Sequence, residues 1–441
     1  MINGNINKVF LIKLMIFGAY FFPNSWYLFN LLGLFFIFLM LFFFKYKKIN
    51  FNPLKAVNLY LLLMIICIFI GHFSNWFLFA IDLDSIFTSD ISSSIATINT
   101  LSLSVIIIIF CSFILIRGSS FSEKDIYSIL YAVLICGVIS AIITLVSWAI
   151  DTGAQWGRYN YTPPITNSQG LQLYSLIFAF FSGMVLINTP HLSSKNNIKL
   201  IKLYCLILVF CMTTILVREA WIIFLVALIL AYLKTSKVNI FIKYTQLSFL
   251  IICISIALTI AINSNNLISD ISLSNGFENA ESIYVRFQMI ENAISFFLDN
   301  PLFGIGYGNF SSIVTYQVEL QSSGAVIEVS SPHNGLILIL AETGLFGLLT
   351  LILFTISIFS SLKKMSLNND LIIKEQMFKV FKWFLILLFF DQMIANSMFL
   401  PTPSEVGLVK LSWLLWIIIA LMLSSTINLS KCTKKKSKGL L

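Results

Sequence analysis

Twelve apolar runs divide this chain, near residues 9–22, 27–44, 56–73, 100–116, 126–150, 170–188, 200–217, 220–233, 245–262, 344–361, 381–398 and 408–425. A membrane-spanning helix takes roughly 20 such residues, and several of these runs are shorter. Hydrophobic residues make up 58% of the 441 and charged residues only 11%, too little polar surface to cover so much apolar side chain in water. Phe alone occurs 42 times, beside abundant Leu and Ile. A β-barrel would show short alternating segments instead of continuous runs. The expectation is an all-α polytopic integral membrane protein with about 12 transmembrane helices, from the hydropathy rule.

The lysines orient it. The formal charge of +9 would suit nucleic acid if it were concentrated on one polar domain, but it is not. With twelve crossings, 24 of the 28 Lys and Arg residues fall on one side, in short loops and in the C-terminal tail. Arg158, Arg218, Arg286 and Lys410 fall on the other, with 14 of the 19 acids. By the positive-inside rule both termini are cytoplasmic, and no nucleic-acid partner is expected. The first run lacks a small-residue cleavage site and reads as a signal anchor. Cys67, Cys111, Cys136, Cys205, Cys211, Cys253 and Cys432 fall in expected spans or in the tail, without metal-ligand spacing. They read as packing residues, with no disulfide or structural zinc expected.

The runs at 200–217 and 220–233 are separated only by Arg218-Glu219. As one helix they would extend about 51 Å, well beyond a hydrocarbon core of roughly 30 Å. Lysines flank both ends, so a tight hairpin with Arg218 at the outer surface is expected. Residues 1–262 then carry helices 1–9, and 263–343 form a large outer (periplasmic) loop with amphipathic helices. Residues 344–425 carry helices 10–12, and 426–441 form a basic cytoplasmic tail. Within the loop, Ile283, Phe287, Ile290, Ile294 and Phe297 recur at helical spacing. Asn300-Pro301 stops that helix, and Gly304, Gly306 and Gly308 follow as a turn.

Few groups on the outer side can do chemistry. His333 stands immediately before an apolar helix at the water–lipid boundary, where a neutral imidazole can act as a general base. An interfacial histidine with no such role is the other reading. Arg218, Arg286 and Arg158 present planar donors suited to phosphate oxygens. Arg218 interrupts a long apolar stretch, so it either pairs with Glu219 or serves a function. On an amphipathic helix, Arg286 is by default solvated. Asp82 and Asp84 form a short acidic spacing of the kind that occurs by chance, though it also suits a divalent metal. His72 and His191 read as interfacial, and Asp391 lies within the eleventh run. The glycines at 304, 306 and 308 lack the spacing and βαβ context of a dinucleotide site.

Taken in order, these segments resemble a known superfamily. Arg218-Glu219-Ala220-Trp221 is followed by Arg286-Phe287-Gln288-Met289-Ile290-Glu291-Asn292-Ala293. Next come Asn300-Pro301-Leu302-Phe303-Gly304-Ile305-Gly306-Tyr307-Gly308-Asn309-Phe310, Pro332-His333-Asn334 and Glu342-Thr343-Gly344-Leu345-Phe346-Gly347. This set, over residues 215–350, resembles the O-antigen ligase and polymerase superfamily of bacterial polysaccharide assembly. Two features stand apart: the 151–169 loop matches only through Gly157-Arg158, and Asp82-Leu83-Asp84 has no counterpart.

The resemblance implies a GT-C-like glycosyltransferase of the bacterial inner membrane, independent of metal and of any cofactor, with its active site on the periplasmic face. Its donor and acceptor would be oligosaccharides on undecaprenyl diphosphate, within the membrane lipid, with a polysaccharide chain-length regulator as a partner. By motif, Arg218 and Arg286 would hold the diphosphate and His333 would take the acceptor proton. Arg158, Asn334 and Glu342 would be accessory. The Pro-His-Asn stretch, the modest loop and the Asn-Pro-Leu-Phe-Gly-Ile-Gly run favour a polymerase of surface-polysaccharide repeat units. The alternative within the family is a ligase that moves the glycan onto lipid A core. Outside it, a flippase for the same lipid-linked sugars would be expected to show inverted repeats and midplane ionisable groups. No repeat is visible here.

Overall fold

The computed structural model describes residues 3–21, 26–43, 56–80, 90–152, 169–215, 223–228, 274–310, 316–319, 326–329, 334–367, 372–394 and 406–426. Helices lie over the apolar runs. They are α1 (Asn3–Phe21), α2 (Trp26–Phe43), α3 (Ala56–Ala80), α4 (Asp90–Arg117), α5 (Glu123–Thr152), α6 (Gln169–Ile187) and α7 (Lys195–Thr213). After these come α8 (Ser274–Asp299), α9 (Gly335–Leu367), α10 (Ile372–Ile394) and α11 (Val406–Leu423). Among the described residues, strand is confined to two short pairs. β1 (Ser120–Phe121) runs parallel to β4 (Ser425–Thr426), and β2 (Tyr316–Glu319) pairs antiparallel with β3 (Val326–Val329). The run at 245–262 lies outside the described residues.

Three of the described helices are long and apolar enough to cross a membrane: Glu123–Ile150, Lys195–Thr213 and Gly335–Lys363. The others include shorter apolar stretches at Ala56–Gly71, Ser104–Arg117, Leu171–Ile187 and Leu408–Leu423. Helix α2 buries Phe36 and Ile37 while Leu31, Leu34, Phe35 and Phe38 stand exposed. An exposed apolar stripe of that kind suits lipid, where contact with hydrocarbon carries no penalty.

Packing against lipid cannot draw helices together by excluding water, so close contact and satisfied polar groups carry the association. Gly137 on α5 faces α6 so closely that an added Cβ would lie 2.1 Å from the Cβ of Ala179. Gly183 on α6 similarly meets Cys205 Sγ of α7 at 2.5 Å. The C-terminal helix is held by aromatics. Trp416 on α11 stacks on Phe354 of α9 and meets Phe110 and Phe113 of α4 edge-on. Trp413 donates its indole N–H to Ser112 Oγ at 3.0 Å. Lys410 is only 2% exposed, four residues into α11 rather than in a loop.

One end of this bundle is tied by polar contacts. Ser122 and Asp125 cap α5 reciprocally: the Ser122 N–H donates to Asp125 Oδ2 at 2.9 Å, and the Asp125 N–H to Ser122 Oγ at 3.2 Å. Glu123 accepts from the N–H of Ile372, the first residue of α10, at 2.9 Å and lies 3.4 Å from His191 Nε2. The β1–β4 pair closes the same end, joining residues 120–121 to 425–426.

Candidate active site

The opposite end is organised by a break in α9. Gly344 has φ 65° and ψ −170°, which ends one helical segment and starts another. A broken helix leaves carbonyls and N–H groups unpaired, a costly state in an apolar setting unless other backbone supplies partners. Residues 301–306 supply them. The Ile305 N–H donates to Ala341 O at 2.9 Å and the Gly306 N–H to Glu342 O at 3.0 Å. In return the Leu345 N–H donates to Pro301 O at 2.9 Å and the Phe346 N–H to Leu302 O at 3.2 Å. The sequence sets up this interlock. Asn300-Pro301 ends α8, since proline cannot continue the helix, and positive φ at Gly304, Gly306 and Gly308 folds the chain back. A Cβ on Gly304 would come within 2.4 Å of the Glu342 carbonyl carbon. On the far side, a Cβ on Gly71 of α3 would meet Phe303 O at 2.6 Å.

Glu342 is 2% exposed, and its carboxylate accepts the Phe310 N–H at 3.2 Å and the Gly308 N–H as well. Successive backbone N–H groups in a turn form a concavity that binds anions. Here the acceptor is the protein's own Glu342 side chain. Gly308 and Phe310, at the end of the glycine turn, therefore hold the Glu342 side chain. Burial, with the Glu342 carboxylate close by, raises the Tyr307 hydroxyl well above its ordinary value and keeps it neutral.

Around the interlock a small core forms from Met289 and Ala293 of α8, Ile305 and Phe310 of the turn, and Leu338 and Ala341 of α9. Phe296 and Ile337 pack against it, and the Phe296 and Phe310 rings meet edge-on. Phe310 also bonds Glu342, so the end of α8 lies beside the end of the first α9 segment. Met289 and Ala293 share that core with Leu338 and Ala341, so α8 packs against the first α9 segment. Asn334 caps the start of the segment: its Oδ1 accepts the Ile337 N–H at 3.1 Å, and its carbonyl accepts from Leu338 at 3.0 Å.

The expected site residues divide accordingly. Asn334 and Glu342 sit at the two ends of the first α9 segment. Arg286 lies on α8, three residues before Met289 and thus on the same side of the helix, though its side chain is not among those described. Arg158, Arg218 and His333 lie outside the described residues, as do Asp82 and Asp84. Asp391 falls near the end of α10. Sequence reasoning missed the meeting of the two glycine-bearing motifs. The available signal was Gly344 within an apolar helical run, which marks a packing or functional constraint.

A helix-dominated chain with apolar helices of membrane-crossing length, folded around a broken helix that a glycine-rich turn completes, is the class this structure defines. Residues 203–352, about a third of the chain, match the model of the O-antigen ligase family. The matched segment holds Arg218, α8, the glycine turn and the break in α9, and it supports the O-antigen ligase and polymerase superfamily that the motifs resemble. No curated protein matches the chain.

Proposed function

We propose that this protein transfers a glycan from an undecaprenyl-diphosphate-linked donor to the hydroxyl of a second lipid-linked repeat unit, lengthening a surface polysaccharide at the periplasmic face. Arg218 and Arg286 hold the donor diphosphate, and His333 is the base. His333 takes the proton from the acceptor hydroxyl as that oxygen bonds to the anomeric carbon. The bond from that carbon to the diphosphate oxygen breaks, and undecaprenyl diphosphate leaves with the electron pair. Negative charge grows on the leaving group, so fixed guanidiniums lower the barrier, while an imidazole neutral near pH 7 supplies the base.

The single observation that supports this reading is that α8, which carries Arg286, packs in one small core with the α9 segment that the Pro332-His333-Asn334 motif precedes. A ligase acting on lipid A core would use the same chemistry, and the family match is common to both readings. Replacing His333 with Ala and resolving surface polysaccharide on a gel separates them. Core bearing a single repeat unit means lost polymerisation, and accumulated lipid-linked polymer means lost ligation. An unchanged ladder removes His333 from the chemistry.

A further inference from the structure

Helix α8 carries more apolar surface than the small core at the break in α9 uses. At about 100° per residue, Met289, Ala293 and Phe296 fall within roughly 60° of one another, on the side that meets this core. Phe287, Ile294 and Leu298 share a second arc, about 40° wide and nearly opposite the first. They are 66, 43 and 68% exposed. Ile290 and Phe297, partly buried, fill the flank between the two arcs. On the other flank stand Glu291, Ser295 and Asp299, all exposed. The apolar part of the helix thus spans about 200°, against the roughly 100° that packing on one core requires.

A single exposed leucine calls for no explanation, but a row joined to a larger apolar face does. This row continues past the end of α8. Leu302 is exposed, its carbonyl accepts the Phe346 N–H at 3.2 Å, and the Phe303 and Phe346 rings stack at 5.5 Å. Beyond that junction Leu345, Leu349, Leu353 and Ile356 form an exposed stripe on the second segment of α9, at spacings of three and four residues. The segment belongs to Gly335–Lys363, which is long and apolar enough to cross a membrane. In a bilayer its stripe faces acyl chains, and the row on α8 extends that face.

We infer that α8 docks on the bilayer surface beside the break in α9, with Phe287, Ile294 and Leu298 among the acyl chains and Glu291, Ser295 and Asp299 in water. Burial of apolar side chain supplies the attachment. The two acids on the water-facing flank offer anionic headgroups no attraction, so docking needs no anionic lipid. The inference rests on α9 crossing the membrane and not on the catalytic reading. Where that reading also holds, residue 286, next to Phe287, lies at the level of a lipid-linked diphosphate.

The test photolabels the full chain in phosphatidylcholine nanodiscs with two aryl-diazirine probes, one on a phospholipid acyl chain and one soluble in water. Mass spectrometry reads both yields at each residue, and their ratio cancels the residue's own reactivity. Phe287, Ile294 and Leu298 are expected to show a lipid-to-water ratio within about threefold of Leu349 and Leu353, and at least about fivefold above Ser295 and Asp299. Anionic lipid should leave these ratios unchanged. The inference is overturned if the α8 row labels like Ser295 and Asp299 while Leu349 and Leu353 label from lipid. If Leu349 and Leu353 also label from water, the placement of α9 in the membrane fails instead. Protection of the α8 row from both probes assigns it to protein contact and equally overturns the docking, with mass photometry showing whether a second copy of the chain is what covers it.

Discussion

Gly304 and Gly344 each face the backbone of the other's segment, which fills the space that a side chain on either glycine would need. A Cβ on Gly344 would lie 2.4 Å from Leu302 O, and one on Gly304 would lie 2.5 Å from Ala341 O. Both have φ near +65 to +70°. The close approach and the backbone conformation impose glycine independently, so neither position has a substitute.

Gly344→Ala should therefore cost more than the roughly 1–3 kcal/mol of a non-glycine residue in a sparsely populated backbone region, because the overlap with Leu302 adds to it. Thermal unfolding of the purified protein in detergent should show a clearly lowered midpoint, with Gly304→Ala behaving alike.

Asn334 offers a milder contrast. Removing its cap with Asn334→Ala should cost about 1 kcal/mol, whereas Asn334→Asp or Asn334→Ser keeps an acceptor for the Ile337 N–H and should cost little. The same unfolding measurement ranks the three.

The contact between α5 and α6 makes a compensation test. Gly137→Ala places a methyl where Ala179 already has one, and should destabilise the protein by about 1–3 kcal/mol through overpacking. Gly137→Ala with Ala179→Gly exchanges the two and should recover much of the loss. If the double variant is no more stable than the single one, the helices do not approach at these positions.

For the diphosphate role, Arg286→Ala should reduce transfer by about a hundredfold or more, and Arg286→Lys should recover only part, because an ammonium cannot form the paired planar contact of a guanidinium. Initial rates with purified lipid-linked donor check this. Arg218→Ala should behave alike, and transfer that survives both changes would leave the diphosphate without its clamp.

Chelation with EDTA should leave the rate unchanged, as the superfamily resemblance implies. Strong inhibition that added divalent metal reverses would return Asp82 and Asp84 to the chemistry.

The apolar runs could be read as helices because periodicity and length report directly on burial in lipid, and within the described residues helices lie over them. Ile290 and Phe297 indicated α8 from spacing alone, and Asn300-Pro301 marked its end. The break at Gly344 was harder to read. Its cause is a second segment about 40 residues earlier in sequence, and no local pattern links Leu302 to Gly344 before the chain folds. Glu342 could be quoted as part of a motif, but not as the acceptor for the Gly308 and Phe310 N–H groups. A buried carboxylate shows its role only through the donors that surround it. Lys410, counted from the charge pattern with the outer loops, lies buried in α11 because α4 and its other neighbours cover it, and hydropathy carries no information about those neighbours.

The pairing of Ser120 and Phe121 with Ser425 and Thr426 also bears on biogenesis. The earlier strand leaves the ribosome some three hundred residues before its mate is made, and α4 waits as long for α11 to bring Trp413 to Ser112. Throughout translation a seam stays open in the bundle, and a nascent chain halted before residue 425 would present it to quality-control proteases.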